Sequence, residues 1–257
     1  MFDDDIVKRL ESVPEASKTI KELFDHARDV SEQRVFTTIV DIECWIQDGK
    51  KQLISLPMRH WVVQQFGEYF NQVNCPIAKV LNKSKANLLR RLQMVAYSQF
   101  WECHAIQRLL TQLVRIAQGK PYDPRLLIDN RPNTSNIYKS LIAEVNRLQF
   151  MLAQSLNVIY YSQIRNAIAH SEFCVLDDYI MFFNYNSKVK EHLPSVRLQT
   201  WDKLFGITSE FIIALFETHE AYMRELKNRT PYKIELKEFG GSFSLLPPKG
   251  RSWIVCS

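Results

Sequence analysis

Arg165, Asn166 and His170 bring a fixed cation, an amide and a titratable imidazole into the segment Arg165-Asn166-Ala167-Ile168-Ala169-His170. Asn166 and His170 are four residues apart and so share a helix face, whereas Arg165 sits about 140° round from His170 and needs its long side chain to reach the same place. These groups suit a phosphodiester. Arginine holds phosphoryl oxygens bidentately and stays protonated, and a histidine with an ordinary pKa of about 6.5 both takes and returns a proton near neutral pH. A plainer role fits the same residues: a His at a helix C-terminus compensates the helix dipole, and an Arg one turn earlier is a solvated charge.

The motif closes a stretch that has neither Gly nor Pro from Asn133 onward, with apolar residues at Ile137, Leu141, Val145, Leu148, Leu152, Leu156 and Ile159. That spacing predicts one helix from about 137 to 170, roughly 50 Å long at 1.5 Å per residue. Before it, Ser84 is the expected N-cap of a helix running over 84–118 to the Gly119-Lys120-Pro121 stop, followed by a loop to 136 rich in Pro, Asn and Asp. Apolar residues spaced by three and four from Ala16 to Asp48 predict one or two helices stopped at Gly49. A further helix is expected from about Pro57 to Val73, broken by Asn74-Cys75-Pro76.

After His170, the apolar runs 173–176 and 179–183 flank Asp177-Asp178 and predict a short hairpin. Thr200 is the expected cap of a last long helix from Trp201 to about Lys227, with Leu204, Phe205, Phe211, Ile212, Leu215 and Phe216 inward. The expected class is all-α: an antiparallel helical bundle with a short β-hairpin after the motif helix and a small extended C-terminal tail. Three regions follow along the chain: an N-terminal helical extension at 1–75, the bundle that carries the motif at 76–229, and a basic tail at 230–257 that adds a small β element or stays partly disordered.

Composition agrees with a helical globular protein. Of 257 residues 46% are hydrophobic, enough for one good core or two small ones, and seven Gly suit short connections between helices. The start Met1-Phe2-Asp3-Asp4-Asp5 is acidic where a secretory leader needs positive charge. The longest wholly apolar stretch, Phe211 to Phe216, is far short of the roughly 20 residues that cross a bilayer, so no membrane association and a cytoplasmic location are expected. Five cysteines, odd in number and without a Cys-x-x-Cys pair, read as reduced thiols. Cys103-His104 lacks a second ligand pair at zinc spacing, and no metal or cofactor is expected.

The net charge of +5 is concentrated: residues 224–257 carry seven basic side chains against three acidic ones. Lys79, Lys83, Lys85, Arg90 and Arg91 form a second run that has no acid between Glu68 and Glu102. Such patches suit a phosphate backbone, and equally suit a solvated tail and helix start.

The segment from Tyr160 to Phe173, Tyr-Tyr-Ser-Gln-Ile-Arg-Asn-Ala-Ile-Ala-His-Ser-Glu-Phe, resembles the signature of HEPN domains, small all-α bundles of which many are RNases. The family motif is Arg, a polar residue, a few more residues and His at the end of a long helix, and Arg165, Asn166 and His170 fill those positions. The resemblance is specific over 160–173 and architectural over roughly 84–228. It implies a metal-independent endoribonuclease acting through the RNA 2′-hydroxyl, a homodimer that shares its active site, and the cellular role of a toxin or phage-defence effector held by an antitoxin or regulatory protein. Some members carry a Tyr two residues after the His as an acceptor of adenylyl groups; here that position is Glu172, so that route of control is not expected. A second reading keeps the same residues as phosphate ligands in a non-catalytic module that binds RNA, nucleotide or a partner protein. A third makes the motif a helix cap in a structural subunit.

Overall fold

The computed structural model of the chain describes residues 2–52, 78–128, 132–183, 185–186, 191–192, 195–228, 232–236, 241–246 and 254–256. Helices dominate, as the apolar spacing predicts: α1 (Phe2–Glu11), α2 (Ala16–Gln52), α3 (Ala78–Glu102), α4 (His104–Ala117), α5 (Thr134–Leu148), α6 (Met151–Ile159), α7 (Ser162–Ala169) and α8 (Leu198–Asn228). The expected hairpin is present as β1 (Phe173–Val175) and β2 (Tyr179–Phe182), paired antiparallel with Phe173 opposite Phe182. The short strand β5 (Val196–Arg197) adds a third strand beside β2. Between them lies the small ladder β3 (Tyr185–Asn186) with β4 (Glu191–His192), and the C-terminal region forms an antiparallel sheet of β6 (Tyr232–Leu236), β7 (Gly241–Leu246) and β8 (Ile254–Cys256). The helix expected near 57–73 and the break at 74–76 lie outside the described residues.

The chain divides into two compact units. The first comprises residues 1–13, 43–107 and 156–209. Its core joins Tyr97 and Trp101 of α3 to Ile164 and Ile168 of α7, with Trp201 and Leu204 of α8, all buried. The hairpin is amphipathic: Ile180 and Phe182 of β2 face inward while Tyr179 and Met181 are exposed, the period-2 alternation of a sheet with one wet face.

The second unit comprises 14–42, 108–155 and 210–257. Apolar residues Leu23, Phe24, Phe36 and Ile39 of α2 are fully buried there with Phe211 and Leu215 of α8. Charged groups are paired where they enter this core. Arg108, 1% exposed, meets Asp41 at 2.6 Å and donates to the carbonyls of Pro124 and Leu126, and so gathers the loop after α4. Arg28 meets both carboxylate oxygens of Glu225 at 2.7 and 3.1 Å.

Four of the expected helices differ in their boundaries or continuity. The helix over 84–118 begins earlier, at Ala78 rather than with Ser84 as cap, and divides at Cys103, where the Gln107 side chain donates to the Trp101 carbonyl at 2.6 Å and the Gln107 N–H bonds Cys103 O. The helix over 137–170 is three helices. α5 ends at Gln149, whose left-handed backbone (φ 58°) lets Phe150 N–H reach back to Val145 O, and α6 restarts where the Glu22 carboxylate accepts from Met151 N–H at 2.9 Å. α2 does not stop at Gly49, since it runs to Gln52, and its interruption is at Ser31 (φ −162°, ψ 97°), whose hydroxyl accepts from Arg34 N–H. Thr200 lies inside α8 and is buried, because the helix begins at Leu198, where Leu198 N–H bonds Asp178 O.

The break between α6 and α7 has a different cause. The buried Tyr97 hydroxyl donates to Ile159 O at 2.8 Å and accepts from Tyr161 N–H at 3.0 Å, so one side chain bonds a backbone group on each side of the interruption. Burial pushes the phenol pKa well above its ordinary value, which keeps the donor proton in place at all physiological pH. Replacing Tyr97 with Phe strands a part-buried N–H and a buried C=O and is expected to lower stability by about 2–4 kcal/mol, toward twice the cost of a single unsatisfied group. Urea unfolding measures it, and a loss within about 0.5 kcal/mol would refute the stitch.

Candidate functional site

Arg165, Asn166 and His170 stand on α7, the short helix between the Tyr97 stitch and the hairpin. Its apolar residues Ile164, Ala167 and Ile168 are buried, which leaves Arg165 and Asn166 half-buried on its flank and His170 exposed at its end. The N-terminus of α7 is set by Tyr161, which is extended (φ −111°, ψ 102°) and has no side-chain cap of its own.

The C-terminus is closed by backbone geometry. His170 is the cap residue, with its N–H on Asn166 O at 3.0 Å. Ser171 then adopts a left-handed conformation (φ 57°), its N–H reaches Ile168 O at 3.0 Å, and Glu172 N–H reaches Ala167 O at 2.7 Å. This is a Schellman closure, with serine where glycine is usual. A non-glycine residue there costs about 1–2 kcal/mol, held in place by the hairpin that follows, where Phe183 N–H bonds Glu172 O at 2.8 Å. The imidazole is thus carried at the C-terminal end of α7, just before the left-handed Ser171.

Arg165 is turned onto the end of α3. Its Nη1 lies 2.5 Å from Oε1 of Glu102, and the arginine side chain is 12% exposed against 34% for the carboxylate. A guanidinium has five N–H donors in a planar fork, and at least one of them is directed at the Glu102 carboxylate. His170 lies just past the last residue of α7, as its cap, whereas Arg165 is anchored to an element 63 positions earlier in sequence.

Glu102 is the residue that the motif could not announce. The basic run preceding it and the expected continuous helix over 84–118 made it one more side chain in mid-helix. The signal was the acid itself, placed just before the only adjacent Cys/His pair. The helix divides there, so Glu102 is the last residue of α3 and His104 the first of α4. Among the described residues no group of three or more His, Cys, Asp and Glu is arranged to hold a metal ion, and no helix is long and apolar enough to cross a membrane.

Of the basic patches, Arg90 is engaged by Asp202 at 3.1 Å, while Arg91 and Arg224 are exposed. The side chains of Lys79, Lys83 and Lys85, and those of the tail from Arg229 onward, lie outside the described residues. In comparisons with known proteins, no family model matches the sequence, and no curated protein or solved structure matches it either.

Proposed function

We propose that the protein is a metal-independent endoribonuclease. The observation that carries the reading is His170: an exposed imidazole at a rigidly closed helix end, one turn beyond an arginine held by packing and an ion pair. The HEPN-like signature at 160–173 adds to it. RNA supplies its own nucleophile, so neither a metal nor an activated water is needed. A base removes the 2′-hydroxyl proton, the 2′-oxygen attacks the adjacent phosphorus, and the bond to the 5′-oxygen breaks as an acid protonates it. The products are a 2′,3′-cyclic phosphate and a 5′-hydroxyl. His170 serves as base or acid, a role worth typically 10²–10⁴-fold, Arg165 holds the phosphoryl oxygens as charge accumulates, and Asn166 orients the imidazole or donates to the phosphate.

In-line transfer uses both a base and an acid, and the motif has one histidine per chain. A two-fold homodimer that joins the two helix ends supplies a pair of each group. The cellular role proposed with this chemistry is that of a cytoplasmic toxin or phage-defence effector, with an antitoxin or regulatory protein as its partner.

One observation favours a second reading. The ion pair with Glu102 offsets the charge of Arg165, which suits a module that binds RNA, nucleotide or protein without cutting. Total RNA incubated with purified protein in EDTA separates the two: cleavage with cyclic phosphate and 5′-hydroxyl ends supports the nuclease, and intact RNA supports the module. Cleavage is also expected to vanish when the nucleotide 5′ to the cut carries 2′-deoxyribose. Cutting of that substrate would sink the mechanism.

His170→Ala is expected to abolish cleavage while changing stability by less than about 1 kcal/mol, because the ring is exposed. Arg165→Ala is expected to abolish cleavage as well, at a stability cost of about 1–3 kcal/mol from the Glu102 carboxylate left behind. If the site is shared, co-expressing the two inactive variants restores partial cleavage, since the mixed dimer keeps one Arg and one His. No recovery in proven mixed dimers would reject the composite site.

A further inference from the structure

We propose that Glu102 is a positioning residue of this site, one that orients the Arg165 guanidinium for an RNA phosphate. The proposal rests on the reading of Arg165 and His170 as phosphodiester-handling groups, and it brings in a residue from outside their motif. Contact is direct, with Oε1 of Glu102 at 2.5 Å from Nη1 of Arg165. A carboxylate at the C-terminal end of a helix has the wrong sign for the helix dipole, so Glu102 is not placed there for the benefit of α3. Such a break with local preference is expected where function sets the residue.

The support under Glu102 is stiff. One turn earlier on α3, Tyr97 is bonded to both sides of the α6–α7 break, and Trp101 stands edge-on to Tyr160 with ring centroids 5.3 Å apart. The Gln107 side chain holds the Trp101 carbonyl at 2.6 Å, beside the point where α3 ends. Glu102 and α7 are therefore held by the same set of contacts, and the ion pair fixes a long side chain that would otherwise sample many rotamers. An orienting carboxylate has an opposite effect on binding, because it competes with a phosphate for the same guanidinium. Removing it should therefore weaken turnover while strengthening association, a split that loss of a merely structural contact would not produce.

The test compares wild type with Glu102→Ala and Glu102→Gln. It measures kcat and KM on a fluorogenic RNA, and Kd for a fully 2′-O-methylated oligoribonucleotide of the same sequence, which cannot be cleaved. For Glu102→Ala, kcat is expected to fall by about 10²-fold, the scale of an ångström-sized misplacement, with a smaller fall for Glu102→Gln, which keeps an acceptor. Kd is expected to tighten by about threefold in Glu102→Ala, and this change should disappear in the Arg165→Ala background. Unchanged kcat and Kd, or a Kd change that persists without Arg165, would overturn the assignment. If Glu102→Ala does not fold, Glu102→Gln decides by the same two measurements. Should wild type cleave no RNA, the nuclease reading fails on its own, while the Kd coupling between Glu102 and Arg165 still decides whether the carboxylate orients the arginine toward a phosphate.

Discussion

The hydroxyl of Tyr97 is the interaction on which the candidate site depends. An interrupted helix leaves backbone donors and acceptors without partners, and in a core those groups are costly unless something else bonds them. Tyr97 supplies both functions from one atom, donating to Ile159 O and accepting from Tyr161 N–H. The chain can therefore stop α6 and begin α7 in a new direction inside a packed region. Without that permission the helix would run on with its apolar period, and Arg165 and His170 would sit on a different line. Trp101 against Tyr160 and Trp201 against Tyr97 pack round the same point, so the break is enclosed by aromatic rings as well as bonded.

Electrostatics follows from that geometry. The arginines of this chain look alike in sequence but are used differently. Arg108 is inside, with Asp41 and backbone carbonyls on its fork, and acts as a brace for a loop. Arg28 clamps Glu225 bidentately and also lies over the rings of Phe36 and Tyr222. Arg165, 12% exposed, lies between the buried Arg108 and the more open Arg28, and is paired with a carboxylate that is one-third exposed.

The strain in the site is also local and explicable. Ser171 takes a left-handed conformation that glycine would take at less cost, and the cost is offset by the backbone bonds of the helix closure and by the pairing of Glu172 with Phe183. That arrangement fixes the position of His170 relative to the hairpin.

Much of this could be read along the chain. Apolar residues at helical spacing told the class, the two apolar runs about Asp177-Asp178 told the hairpin, and Arg-Asn-x-x-x-His told which helix end to watch, since each of these signals is carried by residues adjacent in sequence. Two breaks could not be read, because the groups that bond the freed backbone come from distant segments. Tyr97 bonds both sides of the break at Tyr160, and Glu22 receives the N–H of Met151. Glu102 was hidden for the same reason: an ion pair across 63 positions leaves no trace in spacing. The sequence by itself determined the helical class, the hairpin and the chemical types at the helix end. Tertiary structure decided where the helices stop and which carboxylate meets Arg165, because those outcomes depend on hydrogen bonds and charge contacts between segments that only folding brings together.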